Sequence, residues 1–148
     1  MSKAYTLIEI LIVIGVLAIL TGLASLSLVS FSKSGDLDTT RVIVIGALQE
    51  ARANSVADID DKTWGVHLEG DRVVVYANSG GGYNPSDPSN SARVLASHTL
   101  LSWDLAGGGA NIEFDKRTGK TLNEGTVTIS GSSPGVKTID INSEGMIQ

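Results

Sequence analysis

The sequence predicts an α+β protein, in which a long N-terminal helix packs on an antiparallel β-sheet domain. Three patterns in its 148 residues lead to this prediction. A run without charged residues covers Ile10–Ser32, apolar residues with helical spacing follow over Asp36–Ala57, and alternation of apolar and polar residues begins after that. We expect the first half of the helix to span a membrane and the second half to be amphipathic.

The charge-free run is the most informative part of the chain. It covers 23 positions, and a membrane-spanning helix needs about 20 apolar residues. The apolar core of a secretory signal peptide is shorter, about 7–15 residues, and precedes a small-x-small cleavage site. Gly22-Leu23-Ala24 keeps that alternative open, and an ordinary signal anchor is another. We expect a single span.

Glu9 is an acid at the edge of this run. A charged side chain in a span costs about 2.5–3.5 kcal/mol at the helix centre and less near its end. Cleavage just before Tyr5 would create an α-amino group close to Glu9, and the amine of one subunit could neutralise Glu9 of a neighbour. The alternative is that Glu9 simply lies in water at the level of the lipid headgroups.

The segment Lys3-Ala4-Tyr5-Thr6-Leu7-Ile8-Glu9, with the apolar run behind it, resembles the processing site of type IV pilins and pseudopilins. In that family a short basic leader ends in a small residue, usually Gly, and an aromatic residue, usually Phe, begins the mature chain. A prepilin peptidase cuts there and methylates the new N-terminus. The resemblance implies cleavage between Ala4 and Tyr5, N-methylation of Tyr5, and a role for Glu9 in assembly. Ala4 and Tyr5 depart from the usual Gly and Phe.

Later segments are similar to the H-type pseudopilins and FimT-like minor pilins. They are Glu50–Val56 with Trp64-Gly65-Val66, Ile112–Asp115 with Gly119, and Lys137–Ile141 with Gly145. This resemblance implies a structural subunit of a filament, either a minor pseudopilin of type II secretion or a minor type IV pilin. It implies a single-pass position in the inner (cytoplasmic) membrane before assembly. The implied partners are the membrane, a prepilin peptidase, other pilins or pseudopilins, and an inner-membrane assembly platform.

The resemblance divides the chain into three parts. Residues 1–4 are a leader, residues 5–32 a transmembrane and assembly helix, and residues 36–148 a pilin-like α+β domain outside the cytoplasm. Gly35 either ends the first helix or lies within a continuous helix that bends. The competing hypothesis is a membrane-anchored extracytoplasmic binding domain that does not form filaments. That hypothesis predicts no cleavage after Ala4 and no effect of Glu9→Ala.

Helical spacing over Asp36–Ala57 predicts one buried face. The residues with that spacing are Leu37, Arg41, Val44, Ile45, Leu48, Ala51, Arg52 and Val56, and its apolar members form the face; Thr40, Gln49, Glu50 and Asn54 fall elsewhere.

Beyond Ala57 a period of two residues predicts strands. Trp64–Leu68 and Arg72–Tyr76 flank a hairpin turn at Glu69–Asp71. The remaining expectations are a loop over Gly80–Ala92, strands over Arg93–Leu100, Asn111–Phe114, Thr126–Ser130 and Val136–Asn142, and a short edge at Gly145–Ile147.

Composition and motifs argue against catalysis, metal binding and DNA binding. The chain has no cysteine, two histidines and a net charge of -5, whereas a phosphate backbone attracts clustered Lys and Arg. The one basic cluster, Lys116, Arg117 and Lys120, lies beside Asp115. We predict no enzymatic activity, no cofactor, no metal and no nucleic-acid partner.

Two motifs in the sequence resemble functional sites but lack residues that those sites need. Gly131-Ser132-Ser133-Pro134-Gly135 matches the G-x-S-x-G pattern of hydrolases, but Pro134 has no N–H to donate to an oxyanion hole. We expect a hairpin turn there. The carboxylates of Asp58, Asp60 and Asp61 lack the Gly and the closing Glu of an EF-hand loop, so we expect a solvated charge cluster.

Overall fold

The computed structural model describes residues 6–132 and 135–148, and for residues 23–34 it describes the backbone only. The first element is helix α1, Leu7–Val56, with 50 residues. At 1.5 Å per residue it is about 75 Å long. The backbone remains helical through Gly35, so the open question at this position is resolved in favour of one continuous helix.

Local signals set both ends of α1. Thr6 has an extended backbone, and its Oγ1 accepts a hydrogen bond from the Glu9 N–H at 3.3 Å, which satisfies one of the free donors of the first turn. At the other end Asp58 adopts a left-handed conformation, with φ of 55°. An L-residue in that conformation cannot continue a right-handed helix. A short 3-10 turn over Ile59–Asp61 leads into the first strand.

In the part of the chain that the structure describes, seven strands follow α1 and form two antiparallel sheets. Sheet A has four strands in the order β3-β2-β1-β5, and sheet B has three in the order β4-β6-β7. The strands are β1 Thr63–Leu68, β2 Arg72–Asn78, β3 Ser91–Val94, β4 Thr99–Leu105, β5 Asn111–Phe114, β6 Gly125–Gly131 and β7 Val136–Ile141. The predicted hairpin between β1 and β2 is confirmed, as is the strand Asn111–Phe114.

The prediction of one sheet is wrong, and so is the single strand over Arg93–Leu100. Val94 ends β3 opposite Arg72 in sheet A, whereas Thr99 begins β4 opposite Gly131 in sheet B. Between them the chain turns at His98, whose φ is 62°. Each half of the segment therefore pairs with a different sheet, which its alternating pattern alone does not reveal.

One hydrophobic core joins the helix to both sheets. Buried residues on α1 recur every three or four positions, which places them on one face. They are Leu37, Thr40, Val44, Ala47, Leu48, Ala51 and Ser55. They pack against inward-facing residues of sheet A (Val66, Leu68, Val73, Val75, Ile112 and Phe114) and of sheet B (Leu101, Leu105, Val127, Ile129, Ile139 and Ile141).

Two details of the predicted helix face are wrong. Val56 is exposed, while Thr40 is fully buried. The Thr40 Oγ1 lies 2.9 Å from the Thr99 Oγ1 and accepts a hydrogen bond from the Ala96 N–H at 3.3 Å. Thr99 in turn donates to the Ala96 carbonyl at 2.6 Å. A buried hydroxyl is tolerated when it is hydrogen-bonded in this way, and the partners come from a segment about 56 residues away in sequence.

The predicted architecture also included a membrane-spanning half-helix, and this part is wrong. Within the described part of the chain, no helix has both the length and the apolar character needed to cross a membrane. The predicted single-pass position in the inner membrane is corrected by the same finding.

Candidate functional site

The N-terminal part of α1 is an apolar arm that the core does not cover. We call Leu7–Gly22 the apolar arm. Its large aliphatic side chains are 48% to 84% exposed. Five of them, Ile10 to Ile14, are consecutive, and at 3.6 residues per turn they point to every side of the helix. A helix that is apolar on all sides is ordinarily buried and not exposed to water.

Glu9 lies in the first turn of the apolar arm and is exposed. Its backbone N–H donates to Thr6, so Thr6 and Glu9 occupy the first and fourth positions of a capping box. A carboxylate in the first turn also interacts favourably with the positive end of the helix dipole. The sequence patterns did not identify Thr6 as the N-cap of α1. The capping contact gives Glu9 a local role in the first turn of the helix, in addition to its predicted role in assembly.

The structure brings no described side chain into hydrogen-bonding or ion-pair contact with the Glu9 carboxylate. The predicted processing residues, Ala4 and Tyr5, lie outside the described residues. The predicted cleavage, methylation and assembly roles therefore remain predictions.

A cleft of about 610 Å³ opens at the end of the domain nearest the apolar arm. We call it the arm-side cleft. Its apolar wall contains Val94, Leu95 and Leu100, and Asp71 and His98 also line it. The side chains of Val94 and Leu100 are mostly exposed. An exposed apolar recess with a few polar groups at its margin is typical of a binding surface.

Asp71, His98 and Ser132 line the same cleft, which raises the possibility of a Ser-His-Asp triad. Among the described residues the contact between Ser132 and His98 is a backbone one, from the Ser132 N–H to the His98 carbonyl at 3.3 Å. No side-chain hydrogen bond described in the structure joins the three residues, and a triad requires such bonds. Ser133 and Pro134 of the G-x-S-x-G match lie outside the described residues.

The outer face of sheet A is covered by the loop between β2 and β3, over residues 79–90. Tyr83 of this loop stacks on His67 with 4.0 Å between ring centroids and meets Tyr76 edge to face at 5.2 Å. Asn78 holds the start of the loop, because its Oδ1 accepts the N–H groups of Gly80 and Gly82. The loop therefore buries the face of the sheet that the alternating pattern would expose.

Beneath that loop lies a hydrogen-bonded carboxylate. The Tyr76 hydroxyl donates to Glu113 Oε1 at 2.6 Å, and the Asn78 Nδ2 donates to both oxygens of Glu113 at 3.0 Å. Burial, followed by the bond to Glu113, raises the pKa of Tyr76 well above its ordinary value. Gly65 makes room for the pair, since a Cβ there would lie 3.0 Å from both side chains. We interpret this cluster as a structural network.

Two of the three aspartates after α1 are paired with two residues of the basic cluster. Arg117 binds Asp58 at 2.7 Å, and Lys116 binds Asp61 at 2.6 Å. The hydrogen bond and the charge of Lys116 lower the pKa of Asp61. No group of three or more His, Cys, Asp or Glu residues in the described part of the chain is arranged to hold a metal ion.

Comparison with protein-family models, with curated proteins and with solved structures finds no match for this chain. A functional proposal for this chain therefore rests on three features of its own structure. They are the apolar arm, the arm-side cleft and the acid at the start of the helix.

Proposed function

We propose that this chain is a structural subunit of a helical filament of the type IV pilin-like class. The observation that carries the proposal is the apolar arm, which extends α1 beyond the core and exposes aliphatic side chains in all directions. Contiguous exposed apolar surface of this kind marks an interaction site. Arms from several copies, packed side by side, would bury that surface in a common core.

The resemblance of residues 3–14 to a pilin processing site supports the same proposal. In this view a prepilin peptidase removes Met1–Ala4, and Tyr5 begins the mature chain with a methylated amine. The Glu9 carboxylate then pairs with the N-terminal amine of a neighbouring copy. Removing one partner of a pair buried between the arms would leave an uncompensated charge there, which is strongly unfavourable. The finer alternatives are a minor pseudopilin of type II secretion and a minor type IV pilin.

The test compares filament formation by the full processed chain with that of two valine variants on the same helix. Val13→Asp places a charge in the apolar arm, whereas Val42→Asp places it on the exposed side of the domain half, where Val42 is 71% exposed. We expect Val13→Asp to abolish sedimentable filaments in ultracentrifugation and electron microscopy, and Val42→Asp to retain them. Circular dichroism of both variants checks that the helix and the sheets remain folded.

Glu9 is tested in the same assay. Glu9→Gln removes the charge but keeps hydrogen-bonding capacity in the first turn, while Thr6→Ala removes the cap, at a cost of about 1 kcal/mol to the helix. The proposal expects loss of filaments from Glu9→Gln and retention in Thr6→Ala. Equal effects of the two variants would mean that Glu9 acts through capping. Filaments that persist in Val13→Asp would contradict the proposed function itself.

A further inference from the structure

We infer that Leu122 of one copy inserts into the arm-side cleft of the next copy, and that this contact joins neighbouring domains along the filament. The inference rests on the proposed function, since it assigns a second contact to the same assembly. It concerns the globular domain, whereas the proposed function is carried by the apolar arm. The occupant of the cleft is thus a second copy of this chain.

Leu122 is a fixed apolar knob. At 86% it is the most exposed of the large apolar side chains that the structure describes. Both of its neighbours are held: the Thr121 N–H donates to the Ser143 carbonyl at 3.0 Å, and the Asn123 Oδ1 accepts the Glu113 N–H at 3.2 Å. A side chain presented on a held backbone loses little conformational entropy on binding.

The arm-side cleft supplies a matching recess. Val94, Leu95 and Leu100 line it, and the first and last of these expose apolar surface that the domain itself does not cover. A recess of about 610 Å³ has room for a single leucine side chain and its neighbours. Insertion would remove apolar area from water on both copies, which favours association.

The knob and the cleft lie at opposite ends of the domain. Leu37 of α1 lies beside Gly131 of the cleft, because a Cβ on Gly131 would be 3.3 Å from the Leu37 Cδ2. At the other end of the same helix, a Cβ on Gly119, three residues before Leu122, would be 2.7 Å from the Val56 Cγ2. Leu37 and Val56 are 19 positions apart, which corresponds to about 28 Å along the helix.

A contact between two different surfaces at opposite ends does not close on itself. Such a heterologous, head-to-tail contact produces rings or open helical filaments. The geometry of this pair therefore agrees with a filament and disagrees with a symmetric dimer. Many weak contacts of this type become effective when the apolar arms already hold the copies together.

The two surfaces offer one pair of opposite charges, Lys120 beside the knob and Asp71 at the cleft. Lys120 and Glu124 stand on either side of Leu122 and are exposed. Lys120 pairs with Glu144 at 2.9 Å. A solvent-exposed ion pair of this kind contributes little to stability, so Lys120 can exchange Glu144 for another carboxylate. Asp71 and His98 border the cleft. Lys120 can pair with Asp71 of the next copy, and the Glu124 carboxylate can accept a hydrogen bond from the His98 ring.

The absence of cysteine makes disulfide trapping a direct test. We would introduce Leu122→Cys and Leu100→Cys together into the full chain and oxidise assembled filaments. A disulfide requires Cα atoms within about 7 Å. We expect a ladder of covalent dimers, trimers and larger species on denaturing gels, and monomers alone from each single variant. The matched control, Leu122→Cys with Val42→Cys, should give no ladder, because Val42 does not line the cleft.

The outcomes distinguish failure of this contact from failure of the proposed function. Filaments that assemble without any ladder would overturn the contact and leave the filament proposal standing. Dimers from Leu122→Cys alone would overturn it in favour of a symmetric contact between two knobs. If no variant assembles, and the unmodified chain does not either, the proposed function and the contact both fail.

A charge exchange provides a second readout without cysteines. Asp71→Lys should raise the critical concentration for assembly, and adding Lys120→Asp should restore it. Leu122→Asp should raise the critical concentration at least about tenfold, since burying one leucine side chain changes an equilibrium constant by at least that factor. Asp104→Lys, an equal change of charge outside the cleft, should have no such effect. Failure of the double variant to recover would contradict the pairing of Lys120 with Asp71.

Discussion

At the scale of single residues, buried polar groups explain positions that the hydrophobic pattern does not. Thr40 occupies an inward position on α1 because Thr99 and the backbone of Ala96 satisfy its hydroxyl. Tyr76 is buried on the outer face of sheet A because Glu113 accepts a hydrogen bond from its hydroxyl. In both cases the partner is distant in sequence, so the burial depends on tertiary contacts.

The raised pKa of Tyr76 predicts how stability depends on alkaline pH. An unfolded tyrosine ionises near pH 10, whereas the folded Tyr76 keeps its proton to higher pH. The contribution of Tyr76 to the free energy of unfolding is therefore complete below about pH 10. It is lost as the pH rises beyond that, by at most about 1.4 kcal/mol per pH unit. Tyr76→Phe should reduce this loss, measured as the change in unfolding free energy between pH 8 and pH 11 in urea.

At pH 8, Tyr76→Phe should cost about 1 kcal/mol, because Glu113 loses one donor and retains Asn78. Tyr83→Phe is the matched control, since it leaves the Tyr76 hydroxyl in place and should show the full alkaline loss. An unchanged alkaline loss in Tyr76→Phe would contradict the assignment.

At the scale of elements, the C-terminal segment is attached to the end of α1 by close backbone packing. Gly145 has a φ of 70°, and a Cβ there would lie 1.9 Å from the Gly119 carbonyl oxygen. The Arg52 Nε donates to the same oxygen at 3.2 Å. Beyond Gly145, Ile147 pairs with Ile141 of β7, which confirms the predicted short edge.

Gly145→Ala should therefore destabilise the domain by at least about 1 kcal/mol, because the positive φ is strained for alanine and the backbone of Gly119 must move. Gly70→Ala is the matched control: nothing lies within 4 Å of its Cβ position, and its φ is not positive. Urea unfolding followed by circular dichroism measures both. Similar midpoints for the two variants would show that this contact is looser than the structure indicates.

At the scale of the whole molecule, α1 couples two sheets that do not share a ladder of strand pairing. Leu48 is fully buried in the core that both sheets contribute to. Trp64 lies in β1 of sheet A and Trp103 in β4 of sheet B, and both pack against that core. The chain has two tryptophans, so each sheet carries its own fluorescence probe. A shared core favours unfolding in one cooperative transition.

Leu48→Ala should lower the free energy of unfolding by about 2–5 kcal/mol, and by the same amount for both probes. The measurement is urea unfolding by fluorescence in Trp64→Phe and Trp103→Phe backgrounds, each with and without Leu48→Ala. A loss seen by one tryptophan and not by the other would mean that the two sheets unfold separately.

The sequence alone determined the features that depend on local periodicity. It predicted the apolar character of the arm, most of the buried face of α1, the hairpin at Glu69–Asp71 and the strand Asn111–Phe114, because these follow from spacing within a few residues. Its membrane span and its single sheet were wrong.

Only the tertiary structure decided which strands share a sheet, because strand pairing joins residues that are distant in the chain. The turn at His98 separates a strand of sheet A from a strand of sheet B, and the local sequence does not show this. The same is true of burial at Thr40, whose partners come from a distant part of the sequence. It is true of Leu122 as well: a leucine beside a buried threonine gives no local sign of exposure. The knob and the cleft became visible once the fold had placed them at opposite ends of one domain.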